Sequence, residues 1–126
     1  MRALVIDESR TMRRIVAGIL AELGFATAQA GNGREALDLL EAGETYDLAC
    51  IDWNMPVMDG LEFVTAVRAR RDWRDLTLMM VTTESEHGQI VRALAAGAHE
   101  YVIKPFTPDA IASKLKLLGL LPIEQT

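Results

Sequence analysis

Leu48-Ala49-Cys50-Ile51-Asp52-Trp53-Asn54-Met55-Pro56-Val57-Met58-Asp59-Gly60 sets the fold of this chain. An apolar run of strand length ends in a carboxylate, Asp52, and opens into a loop marked by Pro56 and Gly60. The residue before a proline is biased away from the helical region, so no helix starts before that loop is complete. A strand-terminal Asp facing a loop is a natural place for chemistry, because open α/β sheets bind ligands outside the carboxyl ends of their strands.

Working outward, the same unit repeats. Ala3-Leu4-Val5-Ile6 is a continuous apolar run that ends at Asp7-Glu8 and suits a strand buried on both faces. Ser9 or Arg10 then opens a helix. Met12, Ile15, Val16, Ile19, Leu20 and Leu23 recur at helical spacing, Arg10, Arg13 and Arg14 lie off that stripe, and Gly24 takes the C′ position. Phe25 to Ala30 is a weaker, Ala-rich strand expected at an edge. Gly31-Asn32-Gly33 is a turn with Asn32 as N-cap; it lacks the third glycine of a nucleotide fingerprint. Ala36, Leu37, Leu39 and Leu40 line the next helix, closed by Gly43. Tyr46 to Asp52 is the third strand. Leu61, Phe63, Val64 and Val67 give the following helix its inward face.

Leu76 to Val81 is predicted as the fourth strand, ending at Thr82-Thr83-Glu84. Ser85 is placed to cap a helix whose stripe is Ile90, Val91, Leu94 and Ala95, with Gly97 at its end. Glu100 to Ile103 is a fifth strand reaching Lys104-Pro105-Phe106. Thr107 as N-cap and Pro108 at N1 open a last helix with Ile111, Leu115 and Leu118 inward.

Five β-α units with strands this apolar predict a parallel sheet covered on both sides. Right-handed crossovers and the weak second strand favour the doubly wound order 2-1-3-4-5. All strands then end on one rim, which collects Asp7-Glu8, Asp52, Thr82 and Lys104. Crowded carboxylates are held together by a hard divalent cation, and Mg²⁺ takes oxygen ligands. Lys104 offers a point charge for an oxyanion and Thr82 a hydroxyl. Together they describe a phosphoryl-transfer site with Asp52 as nucleophile and Mg²⁺, Thr82 and Lys104 spreading the transferred charge. Singly, each residue has an ordinary reading: Asp7 as a loop or cap residue, Thr82 as a strand-end hydroxyl, Lys104 as a solvated charge.

The 126 residues fit one domain, half hydrophobic and a quarter charged. A net charge of −5 argues against nucleic acid or an anionic membrane as main partner. One cysteine, Cys50, cannot form an internal disulfide. With no signal peptide and no apolar run of membrane-spanning length expected, the chain reads as a cytoplasmic monomer. Arg68 to Asp75 is basic with one Trp. It reads as a solvated helix end favoured by the dipole, or as a patch for an anionic nucleotide or nucleic acid. Trp53 is expected to point away from Asp52 or to line the site mouth. His87 and His99 are too isolated to suggest a metal site.

Asp52-Trp53-Asn54-Met55-Pro56-Val57-Met58-Asp59-Gly60 resembles the phosphorylation loop of response-regulator receiver domains. Asp7-Glu8, Thr82 and Lys104-Pro105-Phe106 stand where that family has its other signature residues. The resemblance covers essentially the whole chain. It is strongest to single-domain chemotaxis members through Thr11 to Val16, Met80-Val81-Thr82 and Lys104 to Thr107. It implies a flavodoxin-like (βα)5 fold and one receiver domain over 1–126 with no output domain.

It further implies phosphorylation of Asp52 by a histidine kinase. Mg²⁺ would be held by Asp7, Glu8, Asp52 and the Asn54 carbonyl, with Thr82 and Lys104 on the phosphoryl group. Thr82 and the aromatic Tyr101 would form the switch, Asn54 and Glu84 would tune phosphate lifetime, and the Lys104-Pro105 bond would be cis. Self-phosphorylation and self-dephosphorylation would be the only chemistry. The remodelled face of helix four, strand five and helix five would meet a protein target, in chemotaxis the flagellar motor switch; a phosphatase is a further implied partner. Two departures stand out. Glu8 replaces the family's usual Asp, and Thr83 is larger than the small residue common there. Glu8 motivates the alternative of a constitutive receiver-fold adaptor or phosphate sink with a weakened metal site.

Overall fold

In the structure, a computed structural model describing residues 1–83 and 87–122, five strands form one parallel sheet. They are β1 (Arg2–Ile6), β2 (Ala26–Ala30), β3 (Leu48–Asp52), β4 (Thr77–Thr83) and β5 (Glu100–Lys104). The order is β2-β1-β3-β4-β5, as expected, with the Ala-rich strand at an edge. The helices are α1 (Arg10–Glu22), α2 (Gly33–Glu41), α3 (Gly60–Arg68), α4 (His87–Ala96) and α5 (Pro108–Leu117), with a 3-10 turn at Arg71–Trp73.

Alternation along the strands sorts the core into two layers. Leu4, Ile6, Ala49, Ile51, Leu78 and Met80 face α2, α3 and α4 through Leu37, Phe63, Val64 and Ala93. Ala3, Val5, Leu48, Cys50, Met79 and Val81 face α1 and α5 through Val16, Leu20, Ile111 and Leu115. Burial in the second layer pushes the Cys50 thiol up to about 12, leaving it a small hydrophobe.

The caps follow the sequence. Ser9, Asn32 and Thr107 accept from the N–H of Met12, Glu35 and Ala110. Asp59 caps α3 in a reciprocal box, accepting from Glu62 N and donating its own N–H to the Glu62 carboxylate.

Several expectations change. The third strand begins at Leu48, not Tyr46, because Tyr46 lies under the Arg2 guanidinium and Asp47 binds the Arg2 N–H. The second strand starts at Ala26 and the fourth runs from Thr77 through Thr83. Leu118 is the C-cap residue of α5. Ile15 is 48% exposed, since α1 meets the sheet through Val16, Ala17 and Leu20. The inward side of α4 is Ile90 and Ala93, whereas Val91, Leu94 and Ala95 are exposed. The apolar residues of α4 span more than one face, so periodicity alone did not separate its buried from its open side. Ser85 lies outside the described residues.

Candidate functional site

The sheet register brings the site together. Ile6 pairs with Ile51, so the next residue of each strand, Asp7 and Asp52, reaches the rim side by side. Asp52 pairs with Val81, one residue before Thr82, and Thr83 pairs with Lys104. Ile6 and Ile51 belong to the layer under α2–α4, so alternation turns the two carboxylates to the other side. Trp53 returns to the Ile51 layer and is buried there, pointing away from Asp52. The Arg92 guanidinium of α4 lies 5.9 Å from its ring centroid.

At the rim, Lys104 Nζ lies 3.3 Å from Asp52 Oδ1 and 3.5 Å from Asp7 Oδ2. The three side chains are 20%, 14% and 7% exposed. One ammonium thus bridges two nearly buried carboxylates, whose facing oxygens lie no further apart than the sum of those two distances. Asp7 is held from behind, because its Oδ1 accepts the Ser9 N–H at 2.8 Å and its own N–H donates to Ala30 O at 3.1 Å. Thr82 is fully buried at the neighbouring strand end. Asn54 and Glu8 are exposed on the flanking loops. Glu84 lies outside the described residues.

The Asp52 loop is tightly packed. A Cβ on Gly60 would come within 2.6 Å of Asp52 O and 3.0 Å of Trp53 Cα, so only glycine lets α3 start this close to β3. Gly33 N donates to Met58 O at 3.1 Å and ties α2 to the same loop. Val57 has φ 67°, within a three-residue turn closed by Met58 N donating to Pro56 O at 2.7 Å. A β-branched residue there is strained.

Tyr101 is half-buried on β5, three residues before Lys104. Lys114 Nζ of α5 lies 4.5 Å from its ring centroid and 3.0 Å from Glu100 Oε1. The Lys104-Pro105 bond is cis, as the resemblance implied.

Two supporting residues escaped the sequence reading. Arg13 donates to Asp7 O at 2.7 Å, Glu8 O at 3.3 Å and Gln29 Oε1 at 3.2 Å, and so fixes the backbone of the acidic loop. Lys114 is the other. The only signal for Arg13 was its place off the apolar stripe, one turn beyond Asp7-Glu8.

Among the described residues no set of three or more His, Cys, Asp or Glu is arranged to hold an ion. The donor chemistry nevertheless fits a hard cation: Asp7 and Asp52 offer carboxylate oxygens on one rim, with backbone carbonyls of the Asp52 loop beside them.

A model of the response regulator receiver domain matches residues 3–116. This chain belongs to that family. The CheY homologue of Campylobacter jejuni, a chemotaxis protein, is 44% identical over 117 residues, covering 92% of this chain and 90% of that protein. The chemotaxis protein CheY of Pseudomonas aeruginosa is 42% identical, covering 92% and 94%. The solved structure of Vibrio cholerae chemotaxis protein CheY4 superposes with a TM-score of 0.83 at 34% identity, over 92% of this chain and 96% of that one. This receiver domain is therefore homologous to CheY chemotaxis response regulators. Receiver domains and CheY homologues work with histidine kinases and downstream targets. No helix among the described residues is long and apolar enough to cross a membrane.

Proposed function

We propose that this receiver domain is a cytoplasmic phosphorylation switch in a chemotaxis-type pathway, with Asp52 as phosphoacceptor. The observation that carries this reading is Lys104 Nζ between Asp52 and Asp7, within 3.5 Å of both. An Asp52 oxygen attacks the phosphorus of a kinase phosphohistidine. The P–N bond breaks, its electron pair leaves with the imidazole, and that nitrogen takes up a proton. Lys104 and the Thr82 hydroxyl engage the transferred phosphoryl oxygens. Asp7, Asp52, the Asn54 carbonyl and Glu8, directly or through water, would hold Mg²⁺, which when bound adds positive charge against the developing phosphoryl charge. In a separate hydrolytic step, water attacks the phosphorus of the aspartyl phosphate, the bond from phosphorus to the Asp52 oxygen breaks, and inorganic phosphate leaves with the Asp52 carboxylate restored. Asn54, exposed on the loop two residues after Asp52, would tune the rate of that hydrolysis.

Thr82 moving toward the phosphoryl group vacates space that Tyr101 enters, biasing a two-state face. Exposed Val91 and Leu94 on α4 and Leu117 on α5 give that face an apolar docking area for a protein target such as a flagellar motor switch. One observation favours a second reading. Glu8 is exposed, and the extra methylene over Asp changes its reach toward the rim, as an adaptor or phosphate sink with a weakened metal site would have.

The test is NMR of ¹⁹F-labelled tyrosine. With acetyl phosphate and Mg²⁺, the Tyr101 signal shifts while that of Tyr46, at the opposite sheet end, stays. An unmoved Tyr101 signal in fully phosphorylated protein rules out the switch.

A further inference from the structure

The end of the sheet opposite Asp52 carries a second built site. A depression of about 510 Å³ is lined by Arg68, Ala69, Arg70, Arg71, Arg74 and His99. In a chain of net charge −5, residues 68 to 74 hold four arginines against the single Asp72. Asp72 is engaged by Arg70 at 3.1 Å. Among the described residues Arg68, Arg71 and Arg74 have no carboxylate within ion-pair distance, and Arg71 and Arg74 are exposed at the mouth.

The floor is fixed in place. Arg68 donates through Nε to Gly97 O at 3.0 Å, through Nη2 to Leu76 O at 2.8 Å, and through Nη1 to Trp73 O and Arg74 O at 3.3 and 3.4 Å. Gly97 makes room for it, since a Cβ there would come within 2.5 Å of Arg68 Cγ. Arg68 thus joins α3, the 3-10 turn, the segment leading into β4 and the α4–β5 turn, with no carboxylate among its partners in the described residues. His99 Nδ1 accepts the Leu78 N–H at 3.1 Å and faces Arg68 Nη2 at 3.3 Å. Its neutral ring therefore carries the proton on Nε2, a further donor at the depression. Burial and the Arg68 charge both hold His99 below its ordinary pKa, so this neutral tautomer persists at neutral pH.

We infer that this depression binds a small anion carrying two or more phosphate groups, an oligophosphate or the phosphate tail of a nucleotide. Planar guanidinium forks match phosphate oxygens two at a time. The volume exceeds by many times the roughly 30 Å³ share of one water and accommodates more than one phosphate. Its lining side chains are four arginines and a histidine beside one alanine, with no large hydrophobic residue of the kind that lines a groove for an apolar peptide. Arg70, which lines the depression, also stacks 4.2 Å from the ring centroid of Trp73.

The test is calorimetry with sodium tripolyphosphate in Mg²⁺-free, low-salt buffer. Wild-type protein is compared with Arg71→Ala/Arg74→Ala, which alters exposed side chains without ion-pair partners, and with Lys104→Met at the opposite rim. Saturable binding with a Kd of about 1 mM or tighter is expected. It should weaken at least about tenfold in the arginine variant, hold in Lys104→Met, and fall with added salt. ATP binding more tightly than tripolyphosphate assigns a nucleotide; equal affinity assigns the phosphates alone. Three results overturn the inference: no saturation by about 10 mM, loss in Lys104→Met but not in the arginine variant, or citrate binding as tightly as tripolyphosphate.

Discussion

Removing Lys104 should reverse the effect of neutralising Asp7. Lys104 Nζ lies 3.5 Å from Asp7 Oδ2. With an effective dielectric of about 20, Coulomb's law gives about 5 kcal/mol at that separation. Desolvation of both groups and the residual exposure of Lys104 take back much of it, and neighbouring side chains measured in mutant cycles couple by about 0.5–3 kcal/mol. A coupling of about 1–3 kcal/mol is therefore expected from the cycle of Lys104→Met, Asp7→Asn and the double variant. Asn keeps the oxygen that accepts the Ser9 N–H, so the cycle reads charge and not the loss of that bond. In the wild type, Asp7→Asn removes both the attraction to Lys104 and the repulsion from Asp52. In Lys104→Met only the repulsion remains, and the same change becomes stabilising by roughly 0.5–1 kcal/mol. The assay is urea unfolding with EDTA present, suited to a two-state domain of this size, with equal m-values as the control. A coupling indistinguishable from zero, or Asp7→Asn equally destabilising in both backgrounds, refutes the bridging role of Lys104.

His99 predicts a pH dependence. Its folded-state pKa lies below the ordinary value of 6.5 because of burial and the Arg68 charge. The unfolded chain therefore binds the proton first, and the contribution of His99 is present above about pH 6.5 and lost as pH falls through the folded pKa. Urea midpoints between about pH 7.5 and 5.5 should drop more for wild type than for His99→Gln; equal drops would count against it. Val57→Asn should stabilise by about 0.5–1 kcal/mol, because φ 67° is strained for a β-branched residue and tolerated by Asn. A lowered thermal midpoint would show that Val57 makes contacts outweighing its strain.

The sheet order and the rim residues were legible because strand runs and their terminal polar residues are local signals. Ala3 to Ile6 and Leu48 to Asp52 each state both a buried strand and the group delivered at its end. Helix faces were less legible where apolar residues exceed the buried ones. Val91 and Leu94 share α4 with Ile90 and Ala93, and only the sheet position decides which pair is covered. Arg68 and Arg13 were opaque for another reason. Most of their partners are backbone carbonyls, which every sequence contains, so no residue type announces them. The same limit hid the strain at Val57, which follows from the tight closure of the loop between β3 and α3.

The central claim is that Asp52 takes the phosphoryl group with Lys104 beside it. Intact-mass spectrometry after acetyl phosphate and Mg²⁺ tests it directly. One added phosphate is expected on the wild type, none on Asp52→Asn, and a strongly reduced yield on Lys104→Met. Unchanged wild-type mass, or equal labelling of Asp52→Asn, contradicts the account.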